Sequence, residues 1–139
     1  MTLPSRSSRH KTTVLGFGTF DGLHPGHLFF LNELKKCADE SILVLARDVN
    51  VKKIKGKPAR RNELERLQAV QKAGLVDHAE LGDQNDFYKC IRTHRPDIIC
   101  LGYDQKANLE RIRAEFPDIK VVRLPALEPE KYKSSLLNL

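Results

Sequence analysis

The densest chemistry in the 139-residue chain lies in Thr19-Phe20-Asp21-Gly22-Leu23-His24-Pro25-Gly26-His27. Two histidines three residues apart, the second opening an apolar helical stretch, can converge on one anion while free N–H groups and the helix dipole add positive potential. Gly26 leaves room where a phosphate would approach, and Pro25 presets the backbone for the start of a helix. Together they make a phosphate cradle with imidazole donors, suited to stabilising charge on a phosphoryl group during in-line displacement. Two other readings stand beside it, a solvated or capping histidine and a metal pair. For zinc no third ligand follows by spacing, and helical zinc pairs use i and i+4 with a glutamate between them.

The surrounding pattern says what must hold this turn. Residues 13–18 (TVLGFG) read as a buried strand, and residues 27–37 place Leu28, Leu31, Leu34, Phe30 and Cys37 on one face of a helix. Residues 41–47 (SILVLAR) are almost continuously apolar, like a parallel strand covered on both faces. Residues 48–60 are lysine-rich, close with Pro58 and read as a loop. Asn62 and Glu65 make a capping box for a helix to Ala73, with Leu64, Leu67 and Val70 inward and Gly74 as its stop. Strands over residues 75–81, 97–102 and 119–124 then alternate with helices from Asp86 to His94 and over residues 106–116. The alternation predicts a single Rossmann-like, doubly wound parallel sheet of about five strands with helices on both faces, spanning residues 13–139 after a flexible basic tail, residues 1–12. Ligands in such sheets sit beyond the carboxyl ends of strands where the strand order reverses, so the turns at residues 19–27 and 102–105 should carry function.

Composition narrows the class. The formal net charge is +6 with 40% hydrophobic residues, a globular balance. The tail contributes +3 through Arg6, Arg9 and Lys11, and the stretch from Arg47 to Arg66 contributes +5, leaving −2 for the remainder. Charge concentrated in this way points to a local anionic partner rather than a generally basic surface. A nucleic-acid-binding module would draw on the same basic run, but the chain has no Trp and no aromatic residues interleaved with those lysines, so nucleic acid is not the expected partner. Cys37, Cys90 and Cys100 have no CxxC spacing, which suits buried thiols in a reducing cytoplasm. No apolar run approaches the roughly 20 residues of a membrane span.

The motif GTFDGLHPGH, Gly18 to His27, resembles the GTFDxxHxGH signature of the cytidylyltransferase-like nucleotidyltransferases. The resemblance continues through ARDVNVKKIKGKP, ELERLQAVQKAGLVD, PDIICLGYDQ and the Ser134-Ser135 pair. It implies that a substrate phosphate attacks the α-phosphorus of a nucleoside triphosphate, ATP or CTP, with Mg2+ accompanying the triphosphate and pyrophosphate leaving. His24 and His27 match the two signature histidines, Lys53 and Lys55 the lysines of a phosphate-contacting loop (with Lys52 and Lys57 as substitutes), and Arg66 a phosphate-contacting arginine. The lesser alternative for Arg66 is a surface ion pair with its neighbours over residues 62–65. Gly18, Thr19, Phe20, Gly26, Gly102, Asp104, Gln105, Ser134 and Ser135 fall where the family binds nucleotide. Asp21 either orients the acceptor or the turn, or hydrogen-bonds backbone as turn aspartates do.

One segment departs from the cytidylyltransferase pattern. Where those enzymes carry an arginine before a Ser-Thr pair, this chain reads EPEKYKSSLL, and Lys131 or Lys133 could replace the charge but not the bidentate geometry. LGYDQ and KYKSS resemble the archaeal FAD-synthase branch of the family, which favours FMN as the acceptor and adenylyl transfer as the reaction. The alternatives are cytidylyl transfer to glycerol 3-phosphate or another sugar or polyol phosphate, and an inactive nucleotide sensor. A homodimer is among the assemblies the resemblance implies.

Overall fold

The computed structural model describes residues 11–102 and 108–124. Five parallel strands, β1 (Thr13–Gly18), β2 (Glu40–Leu45), β3 (His78–Leu81), β4 (Ile98–Leu101) and β5 (Lys120–Arg123), lie in the order β3-β2-β1-β4-β5. Between them run α1 (Pro25–Lys36), α2 (Asp48–Lys55), α3 (Glu63–Ala73), α4 (Lys89–His94) and α5 (Leu109–Glu115). This is the Rossmann-like sheet that the alternation predicts. The chain winds outward from β1 through β2 to β3, then crosses to β4 on the other side, so the order reverses between β1 and β4. Residues 19–27 and the segment after Gly102 therefore leave adjacent strand ends.

The period of two along β1 divides the core. Val14 packs on one face with Leu31 and Leu34 of α1 and Val70 of α3. Leu15 and Phe17 pack on the other with Ile91 of α4 and Ile112 of α5. Gly16 sits beneath α1, where a Cβ would stand 3.0 Å from a Leu34 methyl group. Each fully buried leucine is worth roughly 1.5–3 kcal/mol relative to exposure, so the two faces clamp β1 firmly and fix where its carboxyl end emerges.

Several expectations need correction. The segment read as a loop contains α2, eight residues ended by Gly56 at φ 77°. Its helical signal is faint because Val51 alone is buried, while Val49 and Ile54 face solvent and leave no apolar stripe. Leu64 is exposed rather than inward, and Arg66 takes the buried position one turn before Val70. The third strand begins at His78 rather than residue 75, and α4 begins at Lys89, three residues after Asp86, whose carboxylate accepts from the Tyr88 N–H at 3.0 Å. Cys90 and Cys100 are buried, but Cys37 is only half-buried, its thiol donating to the Glu33 carbonyl at 3.2 Å. Thr12, assigned to the tail, is fixed by Asp39, whose carboxylate accepts from its N–H at 3.0 Å. The rest of the expected tail, residues 1–10, and the start of the helix expected over residues 106–116 lie outside the described residues. No helix among the described residues is long and apolar enough to cross a membrane.

Candidate active site

The turn between β1 and α1 is held in an uncommon backbone conformation. Phe20 adopts φ 52°, in the left-handed region that costs a non-glycine residue roughly 1–3 kcal/mol, and Gly22 adopts φ 92°. Three contacts offset that cost. The Phe20 ring is buried, lies 4.8 Å from the His27 ring centroid and covers Gly18, where a Cβ would fall 2.2 Å from it. The carbonyl of Thr19 accepts from Arg66 Nη1 at 2.9 Å. Asp21 accepts from the backbone N–H groups of Arg60 at 2.7 Å and Arg61 at 2.9 Å, joining the turn to the segment before α3.

His24 is the N-cap of α1, with Nδ1 accepting from the Gly26 N–H at 3.1 Å and, more weakly, the His27 N–H at 3.4 Å. An acceptor Nδ1 places the proton of the neutral ring on Nε2, so His24 offers a donor there. His27 is oriented by the Gly22 carbonyl, 2.7 Å from its Nδ1. A carbonyl can only accept, so that Nδ1 carries a hydrogen and its 3.4 Å approach from the His24 N–H is not a bond. Neutral His27 thus has a bare Nε2 and becomes a donor there only when protonated. The two rings stack at 3.6 Å. Burial, then the neighbouring His24 charge, pull the His27 pKa below its usual 6.5, with Lys55 adding to the effect. Gly26 permits this packing, since a Cβ would stand 3.0 Å from His24 Cε1.

Arg66 is fully buried, not a surface pair. Its Nε donates to the Arg61 carbonyl at 3.1 Å, Nη1 to Thr19 and Nη2 to Asp48 at 2.7 Å. With its nitrogens turned inward, it braces the turn instead of facing the opening. Around it the first residues of α2 and α3 cap each other: the Asp48 N–H donates to Glu63 at 2.8 Å and the Glu63 N–H to Asp48 at 3.1 Å. Arg47 closes the network through Glu63 at 3.0 Å and the Gly82 carbonyl at 2.8 Å. Sequence reasoning missed Arg47, Asp48, Arg61 and Glu63. Their signal was faint, an acidic residue at the first position of each helix, and the pairing between helices has no fixed spacing.

Lys53 and Lys55 occupy the last turn of α2, exposed, as are Lys52 and Lys57. Gly18, Thr19, Phe20, Asp21, His24, Gly26 and His27 lie together from the end of β1 into the first turn of α1, and Gly102 follows the adjacent strand β4, its carbonyl accepting from Arg123 at 2.8 Å. Asp104, Gln105, Lys131, Lys133, Ser134 and Ser135 lie outside the described residues. The site therefore combines a helix N-terminus, two stacked imidazoles and exposed lysines on the carboxyl side of a parallel sheet, an arrangement that can hold an anion.

A doubly wound α/β protein with an anion cradle after its first strand is a nucleotide-handling protein by fold and by site. The model of the cytidylyltransferase-like family matches residues 15–137, and the chain belongs to that family as a nucleotidyltransferase. It is 43% identical to an FAD synthase of Aciduliprofundum boonei over 129 residues, 90% of this chain and 83% of that one. It is likewise 43% identical to an FAD synthase of Methanosarcina barkeri, covering 82% of this chain and 84% of that one. Among solved structures, a protein described as a lipopolysaccharide core biosynthesis protein from Thermoplasma volcanium superposes with a TM-score of 0.79 at 35% identity, over 86% of this chain and all of the other. Pantoate-beta-alanine ligase from Francisella tularensis shares the fold alone, with a TM-score of 0.58 at 14% identity over 83% of this chain and 59% of that one.

Proposed function

We propose that the protein is an FAD synthase: an FMN phosphate oxygen attacks the α-phosphorus of MgATP, the bond to the β-phosphate breaks, and FAD and pyrophosphate leave. What carries this reading is the likeness to FAD synthases over more than four-fifths of both chains. The histidine geometry supplies the chemistry. The acceptor phosphate is already anionic at neutral pH, so no general base is needed and the protein's work is positioning and charge stabilisation.

His24 Nε2–H meets the phosphates, and the positive end of the α1 dipole adds to it. His27 turns from acceptor to donor by taking up a proton as negative charge gathers against it. Lys53 and Lys55 grip the leaving pyrophosphate, with Lys52 and Lys57 alongside. Asp21 and Arg66 act as positioning residues that keep the cradle in shape. Both Asp21 oxygens accept backbone N–H groups, so the magnesium is read as part of the nucleotide substrate. Asp104 and Gln105 are read on the base side, with Ser134 and Ser135 closing over the nucleotide. The three free cysteines suit a reducing cytoplasm. Pyrophosphate release with ATP or CTP paired with FMN, glycerol 3-phosphate or a sugar phosphate tests the assignment. ATP with FMN should be the active pair, and CTP with a polyol phosphate as the preferred pair would overturn it.

A further inference from the structure

A second cluster lies away from the phosphate cradle. On the edge strand β3, His78 and Glu80 are two residues apart and share the sheet face opposite Ala79, whose side chain joins the other core. His94, the last residue of α4, meets them from the helix that covers their face. The Nε2 atoms of His78 and His94 lie 2.7 and 3.0 Å from the same carboxylate oxygen, Glu80 Oε1, and the three ligand atoms fall within 4.8 Å of one another. His94 Nε2 is buried and, among the described residues, its 3.0 Å approach to Glu80 is an ion pair rather than a well-aligned hydrogen bond. Two imidazole nitrogens and one carboxylate oxygen, drawn from a strand and a helix, form a donor set that a divalent cation completes.

We infer that His78, Glu80 and His94 form a binding site for zinc or a similar borderline divalent cation. Zinc accepts imidazole nitrogen and carboxylate oxygen at about 2.0–2.2 Å, which in a tetrahedron sets its ligands roughly 3.4 Å apart. The three atoms stand between 2.7 and 4.8 Å apart, a spread that brackets this spacing, and exposed His78 leaves a path for the ion and for a water in the fourth position. Arg95, in the left-handed conformation at φ 46°, ends α4 immediately after His94. A bound ion links the edge strand to α4, so its effect is to clip these two elements together. The site is on β3, two strands from β1, whose end leads into the histidine turn.

Metal-stripped full-length protein titrated with Zn2+, and with Co2+ as a spectroscopic probe, tests this. One ion per chain should bind, with a tetrahedral cobalt spectrum, and Zn2+ should raise the melting temperature reversibly to EDTA. His78→Gln, Glu80→Gln and His94→Gln should each weaken binding at least tenfold, since losing even an outer partner of a ligand costs about 10–100-fold. FAD formation by these variants should not change. The Glu80 variant keeps the side-chain shape, and each variant's melting temperature without metal checks its fold. Absence of binding, binding undiminished in all three variants, or binding lost instead on replacing His24 and His27 would overturn the site.

Discussion

The carboxylate of Asp21 accepts the backbone N–H groups of both Arg60 and Arg61, so the histidine turn and the chain leading into α3 form one hydrogen-bonded unit. A turn holding a left-handed Phe20 would otherwise relax, and the cradle with it. Asp21→Ala should lower kcat/KM for FAD formation about tenfold, a discounted figure for two bonds to a partly solvated carboxylate. The amide of Arg60 chiefly holds the Asp21 carboxyl below its usual 3.8. This contribution is therefore present above that value and lost only as pH falls through the lowered one. Stability and activity profiles should show no Asp21 dependence at neutral pH.

His27 behaves in the opposite range. Its pKa lies below 6.5 in the free protein, chiefly through burial, and a triphosphate against Nε2 must raise it. Between those two values, ATP binding should take up a proton and strengthen as pH falls, becoming flat below the free value. Calorimetry in buffers of different ionisation enthalpy measures that uptake. His27→Gln should abolish it. Unfolding the free protein also binds this proton between the lowered and ordinary values, so stability should decline as pH drops through that window.

Gly26 separates activity from stability. It stands inside the first turn of α1, where alanine gains up to about 1 kcal/mol of helix propensity, yet the added Cβ must displace the His24 ring by a few tenths of an ångström. Gly26→Ala should keep or raise the melting temperature while lowering kcat. Gly18→Ala should lose both, because the clash there is with the buried Phe20 ring. Parallel melting and steady-state measurements on the two variants read the difference.

Arg66 is the converse case. Arg66→Met leaves the Thr19 and Arg61 carbonyls without that donor, which should cost about 2–4 kcal/mol. That corresponds to a fall in melting temperature of roughly 6–12 °C. Arg66→Lys should recover only part of it, since one ammonium group cannot span acceptors from Thr19, Arg61 and Asp48. Denaturant midpoints with unchanged slopes would identify the loss as one of stability.

Strand and helix alternation was legible because β1 and β2 carry the apolar runs of doubly covered strands, and Asn62 with Glu65 forms the capping box its spacing predicts. That His24 and His27 meet in one turn at the start of α1 was legible for the same local reason. What escaped was non-local. The capping reading of a histidine holds for His24, though which of its ring nitrogens would cap depends on an orientation that only the folded turn provides. Arg66 reads as a surface charge until Thr19, Arg61 and Asp48 are brought around it. The helix α2 carries a single buried side chain, too little for periodicity to register.

The most direct test is FAD formation from ATP and FMN by the wild-type protein and by a His24→Asn/His27→Gln variant, in which Asn keeps an N-cap acceptor for α1, shown to be folded by its melting curve. The wild type should release FAD and pyrophosphate in equal amounts, and the variant should lose at least about 100-fold in kcat, as expected for removing preorganised donors from a developing charge. Equal turnover by the two proteins would contradict the role assigned to the histidine cradle.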